Sequence, residues 1–79
     1  MVLTFAADNR KLDIMVRPEQ KIEEVYRRLR ENGYFKTECH GRRIRVYSMR
    51  RRAYLNSMRT FREEDICEGD ILLVECELY

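Results

Sequence analysis

The side chains with the chemistry for catalysis or metal binding are few. They are Cys39, Cys67 and Cys76, a single histidine (His40), and the acidic run Glu63-Glu64-Asp65. Three cysteines are an odd number and none stands in C-x-x-C spacing, which argues against a disulfide framework and for reduced thiols in a cytosolic protein. Cys39-His40 could supply half of a metal site, but adjacent residues and two distant cysteines lack the ligand spacing that zinc requires. Cys76 alternates with Glu75 and Glu77 and reads as a small core residue. Cys67 lies in a turn region, where nothing in the sequence supports a reactive thiol. Glu63-Glu64-Asp65 reads as the acidic first turn of a short helix. No Ser/His/Asp or Cys/His set has supporting spacing, and Gly33, Gly41 and Gly69 are too dispersed for a phosphate loop. The expectation is a binding protein with no catalytic residues, metal or cofactor.

The other chemistry is charge. Net charge is only +2, yet residues 1–62 carry 16 basic and 7 acidic groups, while residues 63–79 carry 7 acidic groups and no basic one. Between Cys39 and Arg62 stand eight arginines (Arg42, Arg43, Arg45, Arg50, Arg51, Arg52, Arg59 and Arg62), no acid, and the aromatics Tyr47 and Tyr54. Two outcomes are open. The band forms a patch for an acidic partner, or the acidic end neutralises it within the folded domain. Neutralisation is favoured for Arg43 and Arg45. For Arg50-Arg51-Arg52 no acid is near in sequence, and an exposed contact surface is favoured.

A chain of 79 residues is one small domain, 1–79, which buries roughly 60% of its unfolded surface. With 44% hydrophobic and 38% charged residues, the composition is globular. No apolar run is long enough for a membrane span, and Met1–Ala6 lacks the basic start of a signal peptide.

The elements that position these groups follow from periodicity. Val2–Ala7 and Leu12–Val16 alternate around the polar turn Asp8–Lys11 and predict a hairpin. Pro18 stops the sheet. Ile22, Val25, Tyr26 and Leu29 form one apolar stripe of a helix, with glutamates early, arginines late and Asn32-Gly33 as its stop. Ile44 and Val46 alternate with Arg43, Arg45 and Tyr47 in a third strand. A short strand near Ala53–Leu55 follows a turn at Ser48–Arg51. Thr60 and Glu63 have capping-box spacing. Glu68-Gly69-Asp70 turns into a last strand, Ile71–Glu77, with Leu72, Val74 and Cys76 inward and Ile71 and Leu73 outward. The expected core is Leu3, Phe5, Leu12, Ile14, Val16, Ile22, Val25, Leu29, Ile44, Val46, Ile66, Leu72 and Val74.

Two runs carry a resemblance. Leu12-x-Ile14-x-Val16-x-Pro18 with Ile22-x-x-Val25-x-x-x-Leu29 resembles the second strand and helix of ubiquitin. Thr60-Phe61-x-x-x-x-Ile66-x-x-Gly69-Asp70-x-Leu72-x-Val74 resembles the ending of ubiquitin-like domains. The resemblance implies an α+β, β-grasp fold, a mixed four- to five-stranded sheet packed on one helix. Conjugated members of the group end in Gly-Gly, whereas this sequence reads Glu75-Cys76-Glu77-Leu78-Tyr79, so no covalent conjugation is expected. The face that ubiquitin receptors grip would here carry Arg43, Arg45 and Glu75 beside Leu73, a poor match for those receptors.

Within that group the ending Ile66…Gly69-Asp70-Ile71-Leu72 looks most like the YukD/EsaB family, small cytoplasmic proteins of type VII secretion systems in Gram-positive bacteria. That implies an accessory or regulatory component of the secretion machine, acting on a protein partner. Two alternatives stand beside it: a ubiquitin-like subunit of a multicomponent monooxygenase, and a small nucleic-acid-binding protein using its basic patch. The acidic last strand would repel a polyphosphate, which favours a protein partner for Arg50, Arg51 and Arg52.

Overall fold

The computed structural model describes residues 1–36 and 39–77. Five strands and one helix follow in the order β1 (Val2–Ala7), β2 (Arg10–Met15), α1 (Ile22–Glu31), β3 (Ile44–Ser48), β4 (Ala53–Leu55) and β5 (Ile71–Cys76). The strands make one mixed sheet, ordered β2-β1-β5-β3-β4. β1 and β5 are parallel, and the other neighbours are antiparallel. This is a β-grasp-like α+β fold, as the spacing and the resemblance predict.

Local chemistry explains the elements. In the first hairpin Asp8 and Asn9 both take positive φ (54° and 61°), the left-handed pair that a two-residue turn between twisted strands demands. Asp and Asn are the non-glycine residues that accept it most readily. The helix carries Glu23 and Glu24 in its first turn and Arg28 and Arg30 in its last, matching its dipole. Thr60 and Glu63 form the expected reciprocal box. The Glu63 amide donates to Thr60 Oγ1 and the Thr60 amide to Glu63 Oε1, each at 3.0 Å. The segment closes a single turn, however, and does not continue as the short helix expected. Asp65, at φ 56°, turns the chain out of helical geometry.

The inner face of the sheet packs on the helix. Phe5 lies at the centre, its ring 6.4 Å from Tyr26 and 6.5 Å, edge-on, from Phe61, and Tyr26 stacks on Phe35 at 5.6 Å. Ten of the thirteen expected core residues are fully buried, while Leu12, Ile14 and Leu29 are half-buried and pack against the core. Ala7 of β1 and Tyr26 of the helix stripe join them, and Phe35, Phe61, Leu55 and Cys39 complete the core. The last four lie in loops or in the shortest strand, where no periodicity marks an inward side.

The cysteines require a correction. Cys39 and Cys76 are joined by a disulfide, with Cα atoms 5.3 Å apart at a sequence separation of 37. Ile44 pairs with Cys76 across β3 and β5, so the register brings the end of the last strand beside the chain entering β3. Only Cys67 is a free thiol, and it is half-buried. The absence of C-x-x-C spacing said nothing here, because a contact made by strand pairing leaves no local spacing in sequence.

Candidate functional site

The helix covers one face of the sheet. On the other face the side chains of alternate positions in five strands come together. The register sets Lys11 beside Ala6, Ala6 beside Leu73, Leu73 beside Tyr47, and Tyr47 beside Tyr54, a row across the whole sheet. Leu73 and Tyr54 are exposed, with Tyr47 half-buried between them. The Tyr47 and Tyr54 rings meet edge to face at 5.1 Å. Val2 and Met15, also paired and exposed, extend the apolar surface at the β1–β2 end.

Next to this row, Arg45 and Glu75 face each other across β3 and β5. The Arg45 Nε and Nη2 groups donate to Glu75 Oε1 at 3.1 and 2.9 Å, and Nη2 also donates to the Tyr54 hydroxyl at 2.8 Å. That hydroxyl in turn donates to Glu75 Oε1 at 2.9 Å. The guanidinium carbon lies 4.1 Å from the centre of the Tyr54 ring. The bond from Arg45, and then that from Tyr54, pulls the Glu75 carboxyl below its ordinary range, and the Glu75 bond raises Arg45. The internal neutralisation expected for Arg45 is therefore found. Arg43 meets Glu77 through the backbone, the Glu77 amide donating to the Arg43 carbonyl at 2.9 Å; no carboxylate among the described residues pairs with its side chain.

A pH titration tests this arrangement. Because the folded-state value of Glu75 is depressed, whatever stability the pair contributes is present above the unfolded value, 4.5, and is lost as pH falls through the folded one. The side-chain carboxyl NMR signal of Glu75 should titrate below 4.5 and return towards it in Arg45→Ala. A titration at or above 4.5 in the wild type would show that the pair does not form in solution.

Arg50, Arg51 and Arg52 occupy the β3–β4 turn, where a buried carboxylate supplies what the nearby sequence lacked. Asp70 is 2% exposed. Its Oδ1 accepts from the amides of Ile71 and Arg50 at 2.7 and 3.1 Å, and its Oδ2 accepts from the Ser48 hydroxyl. Ser48 Oγ accepts from the Arg51 amide at 3.1 Å. Asp70 thus organises the turn through its backbone and leaves the guanidinium groups outside. Arg51 donates to the Glu64 carbonyl. No carboxylate among the described residues pairs with Arg50 or Arg52, and both are exposed.

Sequence reasoning placed Asp70 in a turn but did not single it out. Its signal was the Gly69-Asp70 step immediately before an apolar strand, where an aspartate can bond to backbone amides. The rest of the band is tied down: Arg59 to Glu64 at 3.0 Å, Arg62 to Glu19 at 2.8 Å, and Arg42 to the carbonyls of Cys39 and Glu77. Glu63 and Glu64 are thereby used as a cap and as an ion-pair partner. Among the described residues, no three His, Cys, Asp or Glu side chains converge in a metal-binding group.

Leu73, Arg45 and the tyrosines share the open face of the sheet, while Arg50–Arg52 form a separate turn at the end of β3. Leu78 and Tyr79, on which the expectation about conjugation also rests, lie outside the described residues. No described helix is long and apolar enough to cross a membrane. No family model matches the chain, and no curated protein matches it.

Proposed function

We propose that this β-grasp domain is a protein-interaction module that works by non-covalent contact through the open face of its sheet. The observation that carries this reading is the row Ala6–Leu73–Tyr47–Tyr54 with the Arg45–Glu75 pair beside it. Exposed Tyr54 and Leu73 with half-buried Tyr47 between them, edged by an arginine already held in place, have the composition of an interface centre, where aromatic and arginine side chains dominate the energetics. The ring contact and the hydrogen bonds fix these side chains beforehand, so binding loses little rotamer entropy.

The resemblance of the Ile66…Leu72 ending to the YukD/EsaB family supplies the setting: an accessory or regulatory component of a type VII secretion machine. A cytoplasmic position belongs to that resemblance. The Cys39–Cys76 bond weighs against it, because cytosolic thiol buffers keep such pairs reduced.

The test is genetic and biochemical. Deleting the gene in its own host should reduce export of small WxG-type proteins. The wild-type gene should restore export, and a folded Leu73→Asp variant should not. Full export without the gene would reject the secretion role. Full restoration by Leu73→Asp would reject the sheet face as the contact.

Exposed Arg50 and Arg52 favour a second reading, nucleic-acid binding. It requires micromolar or tighter affinity for random DNA or RNA that persists from ~50 to ~150 mM salt and is lost when all three turn arginines become alanine.

A further inference from the structure

We infer that β2 is a pairing edge for a second copy of this chain, joined strand to strand in antiparallel register about Leu12. β2 bounds one side of the sheet and β4 the other. The direction of each backbone group in β2 follows from its ladder with β1. The Val16 amide donates to the Met1 carbonyl at 2.8 Å and the Met1 nitrogen to the Val16 carbonyl at 3.1 Å, so these two residues exchange both bonds. In an antiparallel ladder such pairs alternate with pairs whose amides and carbonyls point away from each other. The register therefore bonds Ile14, Leu12 and Arg10 to Leu3, Phe5 and Ala7, and turns the backbone of Lys11, Asp13 and Met15 to the free edge. Among the described residues, nothing bonds to those amides or carbonyls.

The edge is uncovered. Lys11 and Asp13 are exposed, and Met15 is 79% exposed. Leu12 and Ile14, on the helix side, are only half-buried. The strand holds no proline, and its register with β1 runs without a bulge. β4 differs: it has three residues and follows the arginine turn, a short and charged edge that resists pairing. A lone lysine would protect β2 in the same way, but Asp13 stands two residues from Lys11 on the same face. The Asp13 Oδ1 accepts from the Thr4 hydroxyl at 2.6 Å, which orients the carboxylate there.

Opposite charges two residues apart make this edge complementary to itself. With Leu12 facing Leu12 of the second copy, Lys11 lies opposite the second copy's Asp13, and Asp13 opposite its Lys11. Each of these pairs exchanges both backbone bonds and adds a cross-strand charge attraction. The two Leu12 side chains meet at a non-hydrogen-bonded position, where side chains come closest, and cover each other's exposed surface. The same charges exclude the neighbouring registers. A shift by two sets Lys11 against Lys11 or Asp13 against Asp13. A shift by one sets helix-side positions against open-face positions. The two-fold axis of this pairing is perpendicular to the sheet, so the dimer turns both Leu73–Tyr47–Tyr54 rows to the same side. The contact is made by the edge, and it does not depend on the interaction proposed for that face.

The test is sedimentation equilibrium of the full chain from micromolar to millimolar concentration. The wild type should pass from monomer to dimer, and hydrogen exchange should slow at the Lys11 and Asp13 amides as the dimer fills. Lys11→Asp and Asp13→Lys should each weaken dimerisation about tenfold or more, since both charge pairs turn from attraction to repulsion. An equimolar mixture of the two variants should associate again, because each supplies the charge that the other lacks. That recovery also separates charge from misfolding. Leu73→Asp should leave dimerisation unchanged. A monomer at every concentration would overturn the inference and leave the edge to a strand from another protein. Undiminished dimers in both single variants, a mixture that stays monomeric, or protection that bypasses Lys11 and Asp13 would overturn it as well.

Discussion

Phe5→Ala should leave the domain largely unfolded at room temperature. The Phe5 side chain is fully buried, and its ring touches both Tyr26 and Phe61. Truncating such a phenylalanine costs about 3–5 kcal/mol, from lost transfer free energy and from the cavity left behind. A chain of this length has total stability on the order of 4–12 kcal/mol, so the loss removes a large part of it. Surrounding side chains cannot refill the space cheaply, since β1 is paired on both edges and fixes the backbone there. Urea unfolding followed by circular dichroism measures the change in midpoint. A loss below about 1 kcal/mol would mean that Phe5 is not the centre of the core.

Reducing the Cys39–Cys76 disulfide should cost about 3–4 kcal/mol. The bond closes a loop spanning 37 residues, and the entropy that such a cross-link removes from the unfolded chain corresponds to that magnitude. Urea midpoints with and without a dithiol reductant, and those of the Cys39→Ser/Cys76→Ser variant, should agree with one another and fall well below that of the oxidised protein. Alkylation of the unfolded, unreduced chain should label Cys67 alone, and reduction should expose all three thiols. Three labels without reductant would show that the bond does not form. In a compartment that keeps thiols reduced, the protein would be the less stable form, with the His40–Gly41 turn no longer held to β5.

The interaction face was partly legible in the sequence. Alternation in 43–47 and 71–77 predicts that Arg45, Glu75 and Leu73 share one face, and the β-grasp strand order makes β3 and β5 neighbours. The Arg45–Glu75 pair follows from those two facts. Tyr54 as a bridge between them was not legible. It lies on a three-residue strand, too short for periodicity, and its position depends on the β3–β4 register.

The sequence by itself determined the element order, the helix and its stop, the first hairpin, the capping box and most of the core. Each of these rests on neighbours within a few residues: a period of two, a period of about 3.6, a run of polar turn residues from Asp8, an oxygen three residues from an amide. Tertiary structure alone decided which arginines are neutralised, that Asp70 organises the arginine turn from beneath, and that two of the three cysteines are joined. The Arg50–Asp70, Cys39–Cys76 and Arg62–Glu19 contacts span 20, 37 and 43 residues of chain. Charge and thiol chemistry act through space, so composition reveals that such groups are present, while the register of β3 against β5 and the packing of the loops decide which of them meet.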